Sequence, residues 1–201
     1  AEPTQEPPEG EAPATVATIF ESDMWVVSAD GETKYRLTYF ETGSVRHPRW
    51  SPDGDLIGFI YSPSPANDTF WMIGNQQGAL ATQLSYQWNL TLDHTWLPDS
   101  TAMLISVRNF RDVDQNRLWR IPLVCTADNN DAELYISDAE FTYTDYPRFS
   151  GDGRYLAFRS NYSLIVADTE DQTWERFDEM LPGNTPPVWT PEAFAGEAAC
   201  R

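Results

Sequence analysis

The chain has 201 residues, of which 41% are hydrophobic and 13% aromatic, and its formal net charge at pH 7 is −18. This length and apolar content suit one folded domain with a buried core, and they exclude a chain that is disordered throughout. The negative charge repels phosphate backbones and anionic lipids, so we expect no nucleic-acid partner and no direct membrane insertion.

The first 14 residues form an acidic, proline-rich segment that contains four glutamates. This composition offers little to bury, so residues 1–14 are predicted to be an N-terminal extension of a domain that spans residues 15–201. A start at Ala1 suits a processed exported protein and favours an extracytoplasmic location, either periplasmic, at the cell surface or secreted. We expect the extension to engage a protein partner, or a neighbouring copy in a homo-oligomeric or filament-like assembly.

From Thr15 onward, β-branched and aromatic runs alternate with turn residues, which predicts short β-strands. The first three predicted strands are Thr15–Phe20, Met24–Val27 and Lys34–Tyr39. A motif then occurs four times, in which an aromatic residue is followed three positions later by an acid. The four pairs are Trp50 and Asp53, Trp96 and Asp99, Phe149 and Asp152, and Trp189 and Glu192.

The four motif aromatics are separated by 46, 53 and 40 residues, which is the period of propeller blades built from four short strands. Three of the motifs are followed by a second, a third and a fourth predicted strand. The second strands are Leu56–Tyr61, Ala102–Val107 and Tyr155–Phe158; the third are Phe70–Ile73, Leu118–Ile121 and Leu164–Ala167; the fourth are Gln83–Tyr86, Leu134–Ser137 and Trp174–Phe177.

The motif resembles the TolB-type (WD40-like) β-propeller repeat, which carries Pro-x-Trp-Ser-Pro-Asp-Gly followed by a strand similar to Ile-Ala-Phe-x-Ser. Residues 48–62 match this pattern closely, residues 147–160 keep most of it, and the copies around Trp96 and Trp189 are degenerate. For its relatives the resemblance implies protein binding by the loop faces of the ring.

The two ends of the chain complement each other, because the N-terminal strands correspond to strands two, three and four of a repeat. The last motif, Pro186–Pro191, supplies the missing first strand. We therefore expect an all-β, four-bladed β-propeller of four-stranded antiparallel blades, in which pairing of the N- and C-terminal strands closes the ring. Related propellers have more blades, so an eight-bladed ring of two chains is the alternative to a closed monomer.

The motif residues themselves are interpreted as structural. An Asp in this turn accepts hydrogen bonds from nearby backbone amides, and the aromatic residue packs between blades. His47 and His94 lie at different distances from their motif aromatics, so we expect them to face opposite sides of their strands and to pack or to form hydrogen bonds. No nucleophile motif, phosphate loop or dinucleotide fingerprint occurs, which favours a non-enzymatic protein without a cofactor.

Three weaker signals remain. Asp112, Asp114 and Asn116 resemble the start of a calcium loop that lacks its glycine and its final glutamate, which makes them candidate calcium ligands only. Cys125 and Cys200 could form one disulfide in an exported chain; two free thiols are the alternative. The sequons at Asn67, Asn89 and Asn161 say nothing about function.

These observations predict a non-enzymatic, extracytoplasmic protein-binding or scaffold module that belongs to a larger assembly. The first alternative is a propeller that binds a small ligand or a carbohydrate through tryptophans at the channel. Trp71, Trp88, Trp119 and Trp174, which lie outside the motif, would have to cluster around an acidic pocket for this alternative. The second is the extracellular sensor domain of a membrane protein, with residues 1–14 as its stalk.

Overall fold

The computed structural model describes residues 15–65, 67–85, 91–108, 116–123, 132–136, 141–178 and 185–189. Over these ranges the regular structure is entirely β, and its strands form four antiparallel sheets. No helix in this part of the chain is long and apolar enough to cross a bilayer.

The first sheet has three strands, which are β1 (Thr15–Phe20), β2 (Asp23–Ser28) and β3 (Lys34–Arg36). The second sheet contains β4 (Ser44–Trp50), β5 (Leu56–Ser64), β6 (Asn67–Gly74) and β7 (Thr82–Gln83). The third contains β8 (Thr91–Trp96), β9 (Ala102–Arg108), β10 (Asn116–Pro122) and β11 (Glu133–Leu134). The fourth contains β12 (Thr144–Phe149), β13 (Tyr155–Ser160), β14 (Ser163–Asp168) and β15 (Thr173–Phe177).

Each sheet is a meander in which neighbours along the chain pair with one another, so the predicted all-β class and the antiparallel sheets are confirmed. The outer strands β3, β7 and β11 are shorter than predicted, whereas β15 begins one residue earlier than predicted. The backbone N–H groups of Leu84 and Ser85 both donate to the carbonyl of Phe70, at 2.8 and 3.3 Å. Two consecutive donors on one acceptor end the regular ladder, so β7 stops at Gln83.

Three apolar cores lie between successive sheets. Met24 and Phe59 belong to the core between the first and second sheets, and Phe70 and Met103 to the core between the second and third. The core between the third and fourth sheets contains Leu104, Phe141 and Phe158. Met103 and Leu104 are neighbours in β9 that enter different cores, because successive side chains of a strand point to opposite faces.

The predicted closing strand, Pro186–Pro191, is described only as far as Trp189. Residues 185–189 form no strand ladder, and among the described residues no core cluster joins the fourth sheet to the first. Closure of the ring therefore stays a prediction.

Candidate functional site

The first strands of the second, third and fourth sheets, β4, β8 and β12, lie against one another at one edge of their sheets. A cavity of about 520 Å³ opens where these strands end. It is lined by Arg49, Trp50, Trp96, Arg148 and Phe149, and by the turns that follow the three strands. This cavity is called the mouth below.

A bulge shifts the pairing of each of these strands with the next strand, near the middle of β4 and β12 and at the start of β8. The pairing of β4 with β5 shifts between Arg46 and Arg49, and His47 lies inside this bulge with φ of 54°. Tyr146 holds the same position in β12, with the same φ. In the repeat, Asp93 of β8 is the residue that corresponds to His47 and Tyr146.

Asp93 joins the three strands through an ion cluster. Its Oδ1 lies 3.1 Å from Nδ1 of His47 and 3.0 Å from Nη2 of Arg49, both in β4. Its Oδ2 accepts a hydrogen bond of 2.6 Å from Nη2 of Arg148 in β12. The Asp93 side chain is only 1% exposed, whereas those of Arg49 and Arg148 are 31% and 17% exposed. We call these four residues and His94 the Asp93 cluster.

Electrostatics keep Asp93 ionised and His94 neutral. Burial opposes a charge on Asp93, but His47, Arg49 and Arg148 together hold the pKa of this carboxyl well below its usual range. Complete burial, followed by the nearby charge of Arg49, lowers the pKa of His94 to about 3. Nε2 of His94 lies 2.7 Å from the carbonyl oxygen of His47, which can only accept, so we assign the ring proton to Nε2. Nδ1 of His94 is buried without a partner.

The turns at the rim of the mouth are held by the motif acids. Oδ1 of Asp53 accepts from Ser51 Oγ at 2.5 Å and from the backbone N–H of Asp55 at 3.2 Å. Asp152 makes the corresponding bonds with Ser150 and the N–H of Arg154. These bonds stabilise the turn backbone, and they lower the pKa of both carboxyls.

Neighbouring turns also contact one another. The backbone N–H of Asp53 donates to Ser100 Oγ at 3.2 Å, which joins the turns after β4 and β8. Pro98 packs against Gly153 so closely that a Cβ at residue 153 would lie 2.6 Å from the proline ring. The rim is therefore a continuous surface formed by three sheets.

Two motif tryptophans connect neighbouring repeats by the same hydrogen bond. The indole N–H of Trp96 donates to the carbonyl of Arg49 at 2.9 Å, and that of Trp189 donates to the carbonyl of Arg148 at 2.9 Å. Trp96 is 4% exposed, and Trp50, Phe149 and Trp189 are partly buried. Residues 185–189 therefore lie beside β12 of the fourth sheet, in the same way that β8 lies beside β4 of the second sheet.

The tryptophans outside the motif do not share a site within the described residues. Trp71 packs edge-on against Phe40 and Tyr61, and Trp119 is partly buried against the core between the second and third sheets. Trp174 is 39% exposed and lines a separate cavity of about 470 Å³. Trp88 lies outside the described residues.

The candidate calcium ligands are mostly beyond the described structure. Asp112 and Asp114 lie outside it, whereas Asn116 is the first residue of β10 and is 7% exposed. No group of three His, Cys, Asp or Glu side chains suited to a metal ion occurs among the described residues.

Several other predicted positions also fall outside the described ranges, namely Cys125, Cys200, Glu192, Asn89 and the extension 1–14. Asn67 begins β6 and Asn161 lies in the turn between β13 and β14.

The Asp93 cluster was not predicted from the sequence, although a signal for it exists. Aligned copies of the motif place an arginine directly before the aromatic at Arg49 and Arg148, and an acid three residues before Trp96. Opposite charges at adjacent positions of neighbouring inner strands indicate an ion cluster. The turn Ser28–Gly31 was missed too: it repeats the Ser-x-Asp-Gly pattern, with Gly31 at φ of 77°.

No protein-family model matches the chain, and no curated protein matches its sequence. Solved structures do resemble it. TolB from Acinetobacter baumannii superposes with a TM-score of 0.59 at 16% identity, over 81% of this chain and 39% of that one.

Two other solved structures also resemble the chain. An oligogalacturonate lyase from Vibrio parahaemolyticus has a TM-score of 0.54 at 12% identity, covering 77% of this chain and 42% of that one. A chain of the nidogen/laminin complex has a TM-score of 0.53 at 12% identity, covering 78% and 55%. The chain therefore spans 39–55% of the length of these three structures, and the likeness shows a propeller-type fold.

Proposed function

We propose that the protein is a non-enzymatic, extracytoplasmic protein-binding or scaffold module whose binding surface is the mouth. The observation that carries this proposal is the continuous rim, in which turns of three sheets surround one concave, aromatic-lined cavity. Loops that a rigid scaffold holds in place are where binding residues concentrate in proteins. One of the similar structures is a chain of the nidogen/laminin complex, an assembly of two proteins.

The chemistry of the Asp93 cluster favours binding over catalysis. A general acid or base near neutral pH needs a pKa close to the working pH. His94 is instead fully buried and neutral, with Nε2 committed to a backbone carbonyl. Asp93 is 1% exposed and bonded to two arginines, so it is in no position to receive a substrate proton.

We further propose that the ring closes within one chain, with Pro186–Pro191 as the first strand of the sheet formed by β1, β2 and β3. The indole bond of Trp189 to Arg148 already sets this segment beside the fourth sheet. On β1, Val16 and Ile19 are 59% and 36% exposed, apolar surface that an added first strand would help to cover. A second copy that supplies the strand in trans, as in an eight-bladed ring, is the alternative.

The extracytoplasmic location belongs to the same proposal and rests on the resemblance to TolB-type repeats. A disulfide between Cys125 and Cys200 would accompany export. The mass of the intact protein with and without reductant tests this disulfide, since its reduction adds two hydrogens.

Affinity capture from the native source tests the binding proposal. The wild-type chain is compared with Pro52→Glu, which adds a negative charge on an exposed rim turn, and with Gln77→Glu. Gln77 is exposed in the turn between β6 and β7 and does not line the mouth. Gln77→Glu therefore adds the same charge at a place away from the mouth. We expect one protein to be captured by the wild type and by Gln77→Glu, and to be lost with Pro52→Glu. Equal capture by both variants would place the binding surface elsewhere.

A carbohydrate-binding function is the second candidate, because two tryptophans and a carboxylate, Trp50, Trp96 and Asp152, line the mouth. Aromatic faces that flank polar groups are suited to ligand binding. One of the similar structures is an oligogalacturonate lyase. Saturable binding of an acidic oligosaccharide together with no captured protein would favour this candidate.

A further inference from the structure

The Asp93 cluster contains more positive than negative charge on the side that faces the mouth. Arg49 and Arg148 both line the cavity, whereas Asp93 is buried and does not. His94 is neutral. Two guanidinium groups therefore face one buried carboxylate, in a chain whose net charge is −18.

The two arginines differ in how far the protein satisfies them. Arg148 donates from Nη2 to Asp93 and from Nη1 to the carbonyl of Pro147 at 2.6 Å. Arg49 uses only Nη2, which contacts both oxygens of Asp93 at 3.0 and 3.3 Å. Its Nε is buried without a partner, and no acceptor within the described residues contacts its Nη1. Because the buried Nε cannot reach a ligand, Arg49 is held in place at Nη2 and keeps Nη1 as its donor for a ligand.

A second carboxylate, that of Asp152, also lines the mouth and is ionised, because hydrogen bonds within its turn lower its pKa. Oδ1 of Asp152 accepts hydrogen bonds from Ser150 Oγ at 2.5 Å and from the N–H of Arg154 at 3.0 Å. This oxygen therefore stabilises the turn that follows β12. The remaining walls include Trp50 and Pro52, which offer apolar contacts. Such walls suit the backbone and apolar side chains of an extended peptide.

We propose that the mouth binds a carboxylate of a protein ligand, an Asp or Glu side chain in an extended segment, through Arg49 with support from Arg148. This inference rests on the proposed function and names the group that the binding surface recognises. Arg49 is positioned by Asp93 before the ligand arrives, which reduces the entropy lost on binding. A planar carboxylate matches the fork of a guanidinium group. A monoanion suits the site better than a dianion, because Asp93, Asp152 and the net charge of −18 all repel anions.

The test uses the full chain and two probes, the blocked peptide acetyl-Ala-Glu-Pro-Ala-amide and the same peptide with Gln in place of Glu. Binding is followed by NMR on the indole N–H resonances of Trp50 and Trp96, which lie in the mouth. Inorganic phosphate serves as a third probe. We expect saturable shifts with the Glu peptide, and binding about tenfold weaker or less with the Gln peptide and with phosphate, since a charge-assisted bond is lost or a dianion is repelled.

Variants separate the role of Arg49 from a general charge effect. Arg49→Gln should weaken binding of the Glu peptide by about tenfold or more, and Arg49→Lys, which keeps the charge but loses the fork, by a smaller factor. Arg120→Gln is the matched control, because Arg120 does not line the mouth and its carboxylate contact, to Glu133, is 3.8 Å long. Should Arg49→Gln fail to fold, Arg49→Lys carries the comparison.

Equal binding of the Glu and Gln peptides, or unchanged binding in both Arg49 variants, would overturn the inference. The proposed function would survive that result if Pro52→Glu still abolished capture of the partner. Loss of capture in Pro52→Glu and in both Arg49 variants, but not in Arg120→Gln, would support the two proposals together.

Discussion

Asp93 is the residue on which the arrangement at the mouth depends, because it is the carboxylate that pairs with both Arg49 and Arg148. Its substitution leaves two partly buried guanidinium groups facing one another. Removing one member of a buried ion pair costs about 3–5 kcal/mol, and the partial exposure of the two arginines reduces this figure. We expect Asp93→Asn to lower the free energy of unfolding by about 2 kcal/mol, measured by urea denaturation.

Asp171→Asn provides the control for that measurement. Asp171 pairs with Arg154 at 3.0 Å but is 63% exposed, so its loss should change the free energy of unfolding by less than about 0.5 kcal/mol. Similar effects of the two substitutions would show that the Asp93 cluster contributes no more than a surface ion pair.

His94 gives the stability a pH dependence of known sign. Its pKa is about 3 in the folded chain and about 6.5 when unfolded, so the unfolded state binds more protons between these values. Stability therefore falls as the pH is lowered through this window, and is fully present above about pH 7. We expect a loss of about 1–2 kcal/mol between pH 6.5 and pH 5, from denaturation at each pH.

The variant His94→Asn should be less stable at pH 7 but should lose less stability on acidification, because the titrating group is gone. An unchanged slope in this variant would show that the pKa of His94 is the same in the folded and the unfolded chain, and would contradict this account.

The motif acids could be predicted from sequence because their hydrogen bonds are local, within two residues of the chain. The Asp93 cluster could not be predicted by the same reasoning. Its contacts join residues 44 and 55 positions apart, and the bulges at His47 and Tyr146 decide where these side chains point. The alternation rule that was used for His47 and His94 does not include such bulges.

At the scale of the elements, the indole-to-carbonyl bond repeats from sheet to sheet and allows a test of ring closure. Trp96 donates to the carbonyl of Arg49, the residue before Trp50. Trp189 donates to the carbonyl of Arg148, the residue before Phe149. In a closed ring, Trp50 is the corresponding donor and the carbonyl of Val188 the corresponding acceptor. The side chain of Phe149 has no N–H, so this bond is missing between the fourth and third sheets.

We therefore expect Trp96→Phe and Trp50→Phe each to lower the free energy of unfolding by about 1–2 kcal/mol, through one hydrogen bond and some packing. Chemical denaturation of the two variants gives the comparison. A neutral Trp50→Phe beside a destabilising Trp96→Phe would contradict closure. Dependence of the Trp50→Phe effect on protein concentration would favour closure by a second copy.

The positions of β5, β9 and β13 follow from the sequence because these inner strands bury side chains on both faces. β5, β9 and β13 carry near-continuous apolar runs, and their predicted starts agree with the structure. Outer strands were predicted less well. An outer strand ends where its regular hydrogen bonds to the preceding strand stop, as they do for β7 at the carbonyl of Phe70. The pattern of side chains in the sequence does not show this point.

At the scale of the molecule, the fold stacks four sheets with a core between each successive pair, and the mouth lies where three of them meet. The repeat spacing predicted this stacking, since one sheet with two apolar faces needs neighbours on both sides. The local charge at the mouth could not be read from the composition. In a chain of net charge −18, the partly buried Arg49 and Arg148 lie together at the mouth, and only the assembled sheets show this.

Hydrogen exchange of the chain with and without its captured partner tests most directly whether the mouth is the binding surface. The turns at residues 51–54, 97–100 and 150–153 form the rim. The turn at residues 28–31 has a similar Ser-x-Asp-Gly sequence but lies outside the mouth, so it serves as an internal reference. The account predicts slower exchange at the three rim turns and no change at residues 28–31. Protection confined to other parts of the chain would contradict it.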